Sequence, residues 1–162
     1  MTPWQPLFEL TFRPDPELVT VVRRFVNGLY DRILDGDAAA RVAMATHELL
    51  ENTVKYSLDG RASVTIALSR NGHGGVLSIC TRNRASDGDV RNIAGALDEM
   101  RAVGDPARYY QLVLRRTAAR EIGSGLGLAR VYAEGEMTMR YQLAAEELSI
   151  VAETVVAARE SP

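Results

Sequence analysis

The chain has 162 residues, 46% apolar and 25% charged, the make-up of one globular domain rather than of a disordered or fibrous polymer. Nineteen Lys and Arg stand against 21 Asp and Glu, a balance that disfavours a nucleic-acid binder working through overall charge. The lone Cys80 excludes an internal disulfide framework or a cysteine-built zinc site, no apolar run approaches the roughly 18 residues that span a bilayer, and the first residues lack the regions of a signal peptide, so a cytoplasmic protein with no membrane contact is expected.

In chain order, Leu7 to Arg13 reads as a strand ending at Pro14. Asp15-Pro16-Glu17 is a helix start, with a capping carboxylate and a proline suited to the first turn. Leu18, Val21, Val22, Phe25, Leu29 and Ile33 follow at helical spacing up to Asp35-Gly36-Asp37. A second helix runs from Ala38 to Tyr56, with Val42, Ala45, Leu49 and Thr53 or Val54 on its apolar side. Ala62–Ser69 and Val76–Thr81 read as a hairpin around Asn71 to Gly75. Residues 84–122 are an Arg-rich insertion with helices near 89–102 and 106–120, split at Gly104-Asp105-Pro106. A glycine-rich loop, a short helix to Glu134, and strands Met137–Leu143 and Leu148–Val156 close the chain. Helices in groups and strands in hairpins predict one domain over 1–162, an α+β two-layer sandwich with a mixed, largely antiparallel sheet covered on one face by helices.

Two groups of residues carry chemistry. On a helix, Glu48, Asn52 and Lys55 or Tyr56 share one face, and an acid, an amide and an ammonium in one stripe suit a hydrated magnesium ion and phosphate oxygens; a solvated polar face has the same pattern. His47 opens neither a zinc-protease motif, because position 51 is Glu51, nor a phosphoacceptor box, because no basic residue and proline follow. Downstream, Gly123-Ser124-Gly125-Leu126-Gly127 offers backbone amides to an anion at a helix start. It fits neither the dinucleotide fingerprint nor the P-loop, which needs Lys-Ser/Thr, and a plain turn needs only one glycine.

In this order, Glu48 to Tyr56 resembles the N-box, and Gly123 to Leu128 the second glycine box, of the GHKL ATPase superfamily, the histidine kinase-like ATPase (Bergerat) fold. That superfamily joins sensor histidine kinases, heat-shock chaperones, DNA gyrase and small anti-sigma serine kinases. The resemblance covers nearly the whole chain, with 84–122 similar to the ATP lid, and the length and the start Phe12-Arg13-Pro14-Asp15-Pro16 resemble the anti-sigma or SiaB-type serine/threonine kinase branch. It implies ATP and Mg2+ as ligands, with Asn52 on magnesium and Glu48 as catalytic base. It places Lys55 near the phosphates, and Gly123, Ser124, Gly125, Leu126 and Gly127 around the triphosphate. It also implies a bacterial regulator that phosphorylates or sequesters a separate protein, such as a STAS-domain anti-sigma antagonist or a sigma factor, and it allows a homodimer.

The first glycine box departs from the pattern. After Leu77 to Thr81 the chain runs Arg82-Asn83-Arg84-Ala85, so Asn83 stands where the family has its adenine-binding aspartate and Ala85 where it has the first glycine. Asp87-Gly88-Asp89 is a shifted alternative. Asn83 keeps an acceptor oxygen and gains a donor, which suits adenine or a purine carbonyl. The alternative expectation is therefore an inactive pseudo-ATPase serving as an interaction switch or scaffold. Arg115, Arg116 and Arg120 meet phosphates, an acidic partner or solvent, Tyr109 and Tyr110 meet a partner or the core, and Cys80 reads as a small buried residue.

Overall fold

The computed structural model describes residues 5–71, 74–119 and 125–157. The elements are β1 (Gln5–Phe12), α1 (Pro16–Tyr30), α2 (Ala38–Tyr56), β2 (Ala62–Asn71), β3 (Gly74–Arg84), α3 (Asp87–Val103), α4 (Pro106–Ala118), α5 (Leu126–Ala133), β4 (Thr138–Ala144) and β5 (Glu147–Ala157). Their order is the one expected from the residue patterns.

The strands form one sheet in the order β1-β2-β3-β5-β4, and every neighbouring pair is antiparallel. The sheet is thus antiparallel throughout, not mixed as expected. The long α3-α4-α5 connection returns the chain as β4 in the direction of β3, which would permit a parallel pair. Instead the tight turn after β4 sends β5 back into the gap between them.

One face of the sheet supplies the core, because residues two apart along a strand point the same way. Phe8, Ile66, Ile79, Ala152 and Met139 form one cross-strand row on that face, with Ile66, Ile79 and Ala152 fully enclosed. Helix α2 lays Val42, Ala45, Leu49 and Thr53 into this core. The opposite face exposes Arg82, Arg140 and Val155.

Helix α1 differs from its predicted face. Val19, Val22, Val26 and Tyr30 are buried, while Val21 and Phe25 are 60% and 53% exposed. Valines at 19, 21, 22 and 26 fit two helical stripes equally well, and Phe25 stacks obliquely on Phe8 at 5.3 Å instead of entering the core. The helix ends at Tyr30, short of Ile33, and begins as expected, with the Asp15 carboxylate accepting from the Glu17 amide at 2.7 Å.

The insertion is two capped helices. Ser86 Oγ accepts from the Asp89 amide at the start of α3, and Asp105 accepts from the Arg108 amide at the start of α4. Between them Gly104 adopts φ +69°, the left-handed stop that costs glycine least. Among the described residues no helix is long and apolar enough to cross a membrane.

Candidate functional site

Helices α2 and α5 bring the two chemical groups of the sequence into contact. Gly127, in the first turn of α5, sits on the side chain of Glu48: a Cβ at position 127 would come within 2.8 Å of Glu48 Oε2 and 3.7 Å of its Cβ and Cδ. Only glycine gives this approach without displacing the carboxylate. The residues lie 79 positions apart in sequence (127 − 48), so the fold alone creates the contact.

Glu48 is largely enclosed, its side chain 14% exposed. Its Oε1 accepts from Arg130 Nη1 at 2.5 Å. Arg130 also donates to Glu134 through Nε at 3.3 Å and Nη2 at 3.2 Å. Burial works to lower the pKa of this guanidinium, but the Glu134 hydrogen bond and the charges of Glu48 and Glu134 outweigh it and hold the pKa above its ordinary value. Across from Glu134, burial and then the Glu134 charge raise the pKa of the Tyr110 phenol of α4. Glu134, Arg130 and Glu48 thus form one chain of contacts between α5 and α2.

One turn beyond Glu48, Asn52 is partly buried and its Nδ2 is enclosed with no hydrogen-bond partner. An enclosed amide without a partner costs about 1–3 kcal/mol, so this donor is a position where an incoming acceptor gains most. Its Oδ1 suits magnesium, which takes oxygen ligands, keeps several waters and relies on substrate phosphates for the rest. Among the described residues no group of three or more His, Cys, Asp or Glu is placed to hold a metal ion by itself.

Gly125 precedes α5 as a cap residue without a capping side chain, and among the described residues no side chain is seen to take up the first amides of the helix. Leu126 and Gly127 are partly buried beside it. Gly123, Ser124 and Arg120 lie outside the described residues. Lys55 is exposed, with its ammonium 5.2 Å from the ring centroid of Tyr56. His47 faces Glu51 at 3.8 Å on the same helix.

Asn83 is 6% exposed at the end of β3, level with Ala62 and Leu148. Its Nδ2 donates to the Arg84 carbonyl at 3.1 Å, so its amide oxygen is the group left to accept from a purine amino group. Ala85 is buried in the core. The shifted alternative Asp87-Gly88-Asp89 is the first turn of α3, where the Asp89 carboxylate accepts from Ser86 Oγ at 2.7 Å. That carboxylate is spent on capping.

A cleft of about 470 Å³, within the range of small-molecule sites, lies mainly between α3 and α4; Glu48, Asn52, Asn83 and Gly127 are not among its lining residues. Tyr56 and Gly125 reach it from the two chemical groups, and α3 and α4 supply Arg91, Glu99, Tyr109 and Arg116. Arg116 forks onto Glu99 with bonds of 2.7 and 2.8 Å, which ties α4 to α3 across the cleft wall. Tyr109 belongs to the core: it is 1% exposed, donates to the Ala96 carbonyl at 3.2 Å and meets Tyr132 edge-on.

Arg130 was not legible as a partner of Glu48. The spacing of Arg130 and Glu134 announces a helical ion pair, but nothing local links either to position 48. No protein-family model matches the chain, and no curated protein matches it.

Proposed function

We propose that this chain is a nucleotide-binding regulatory domain of the GHKL type, which uses Mg-ATP to phosphorylate or sequester a separate protein. The observation that carries the reading is the seating of Gly127 on Glu48, which brings the N-box-like helix against the helix that follows the glycine loop. The unpartnered Asn52 amide and the uncapped amides of α5 add two sets of anion acceptor-seeking groups at the same place.

In this reading the α5 amides hold the phosphates, Asn52 holds magnesium through Oδ1, and the Asn83 oxygen accepts from the purine. Magnesium, when bound, neutralises phosphate charge. Glu48 takes the proton of a serine or threonine hydroxyl on the partner. The hydroxyl oxygen then bonds to the γ-phosphorus as the bond to the ADP oxygen breaks, and ADP leaves with that electron pair. The partner class is a STAS-type anti-sigma antagonist or a sigma factor.

A second reading, a scaffold that binds without transfer, draws on a specific observation: Glu48 Oε1 is already engaged by Arg130.

Calorimetric titration with Mg-ATP, Mg-ADP and Mg-GTP tests both. Asn52→Ala is expected to weaken magnesium-dependent binding about tenfold. Glu48→Ala is expected to keep binding and abolish transfer. No binding of any of the three at millimolar nucleotide rejects the nucleotide reading; binding without transfer to any serine or threonine partner selects the scaffold. Transfer retained by Glu48→Ala rejects Glu48 as the base.

A further inference from the structure

The cleft between α3 and α4 is a formed cavity, and of the residues assigned to the nucleotide only Gly125 borders it. Its walls are tied at two points. The Tyr109 hydroxyl of α4 donates to the Ala96 carbonyl of α3 at 3.2 Å, and Arg116 forks onto Glu99 at 2.7 and 2.8 Å. Along α3, Arg91, Gly95 and Glu99 recur every fourth residue and turn one face to the cleft. Gly95 stands in the middle of that helix, without a positive φ. A Cβ at position 95 would meet no atom within 4 Å. Neither backbone strain nor close packing therefore calls for glycine here, although glycine suits a helix centre less than any residue but proline. What its missing side chain leaves is open space at the cleft wall.

The lining also states the chemistry of an occupant. Ala96, Val113 and the Tyr109 ring give it an apolar floor. The charged lining residues are Arg91, Arg116 and Glu99. Arg116 and Glu99 neutralise each other, whereas Arg91 is exposed and makes no ion pair among the described residues. One positive charge at the mouth is left without a counter-charge. We propose that the cleft is a second binding site, separate from the nucleotide, that takes a small planar organic anion: one or two fused rings bearing a single carboxylate. The ring lies on the Ala96, Tyr109 and Val113 floor, the carboxylate meets Arg91, and Gly95 keeps the slot open.

The isotope-labelled full chain would be titrated with naphthoate, with its neutral isostere naphthamide and with Mg-ATP, reading backbone amide shifts by NMR and affinity by calorimetry. Naphthoate is expected to bind saturably with a Kd of about 1 mM or tighter, the affinity a ligand of its size reaches. Its shifts should centre on Arg91, Gly95, Ala96, Val113 and Thr117. Naphthamide should bind about tenfold more weakly, because it lacks the charge-assisted bond. Arg91→Gln should bring naphthoate down to the affinity of the amide and leave the amide unchanged. Gly95→Leu should lose both ligands and yet raise Tm by about 2–4 °C, because a good helix former replaces glycine.

A gain in Tm with loss of binding separates an occluded cleft from a damaged fold. The proposal is overturned if naphthoate gives no saturable shift of these amides at about 10 mM, if it binds no tighter than naphthamide, or if Gly95→Leu binds it as wild type does. Displacement of naphthoate by Mg-ATP also overturns it, because the cleft is then the nucleotide's own. Should Gly95→Leu fail to fold, Arg91→Gln decides, since Arg91 is exposed and unpaired among the described residues. A chain that binds naphthoate as described but no Mg-ATP rejects the nucleotide reading and keeps this site. A chain that binds Mg-ATP and no naphthoate rejects this site alone.

Discussion

At the scale of single residues, the site depends on how closely two groups approach. Glycine at 127 lets α5 rest on Glu48, and an added methyl would lie 2.8 Å from Oε2. Gly127→Ala is therefore expected to displace the Glu48 carboxylate, at a cost below about 1 kcal/mol because the nearest atom is the end of a flexible side chain, and to weaken Mg-ATP binding in the same titration. A large fall in melting temperature would show that the carboxylate cannot yield. Tyr30 makes the opposite case: its ring is fully buried and its hydroxyl has no hydrogen-bond partner. Tyr30→Phe should leave stability unchanged or raise it by up to about 1 kcal/mol, measured by urea unfolding, because it removes an unsatisfied group and keeps the ring. The stripe of Glu48 and Asn52 was legible in the sequence, because four-residue spacing on a helix needs no tertiary information. The Arg130 contact was not, because it spans 82 positions and depends on how two helices pack.

At the scale of elements, local chemistry accounts for most boundaries. Asp15 with Pro16, Ser86, and Asp105 with Pro106 each start a helix where a short polar side chain can take up free amides. Asp105→Ala should cost about 1 kcal/mol and speed amide exchange in the first turn of α4. The same chemistry misleads at Asp87-Gly88-Asp89, where an acidic, glycine-containing run resembles a nucleotide loop but serves as a helix start. The turn between β4 and β5 carries two non-glycine residues at positive φ, Ala145 at +49° and Glu146 at +67°. Left-handed backbone costs an L-residue about 1–2 kcal/mol, so Ala145→Gly should raise the unfolding free energy by up to about 1 kcal/mol and the urea midpoint with it. A lower midpoint would mean that the turn is not strained. In α2, Leu49 is fully buried, and Leu49→Ala should cost about 2–5 kcal/mol.

At the scale of the molecule, burial sets the response to alkali. Burial raises the pKa of the Cys80 thiol against the opposing pull of Arg82, and raises the Tyr30 phenol further, with Tyr109 raised by burial and the charge of Glu99. A raised acid in the folded state holds its proton more tightly than the unfolded chain does. Its contribution is complete below the ordinary thiol and phenol values and is lost as pH climbs through the raised ones. The urea midpoint should be flat from about pH 7 to 8.5 and fall above about pH 9, with a shallower fall in Tyr30→Phe. A midpoint that rises with alkali would contradict the assignment. The sequence alone determined the element order, the helix starts and the shared face of Glu48 and Asn52, because each is written within one or two turns of chain. Only the tertiary structure decided that β5 enters between β3 and β4, that α1 buries Val19 and Val26 rather than Val21 and Phe25, and that Arg130 closes on Glu48. Each of these is a choice between partners of equal local merit, settled by which surfaces the whole chain can bury together.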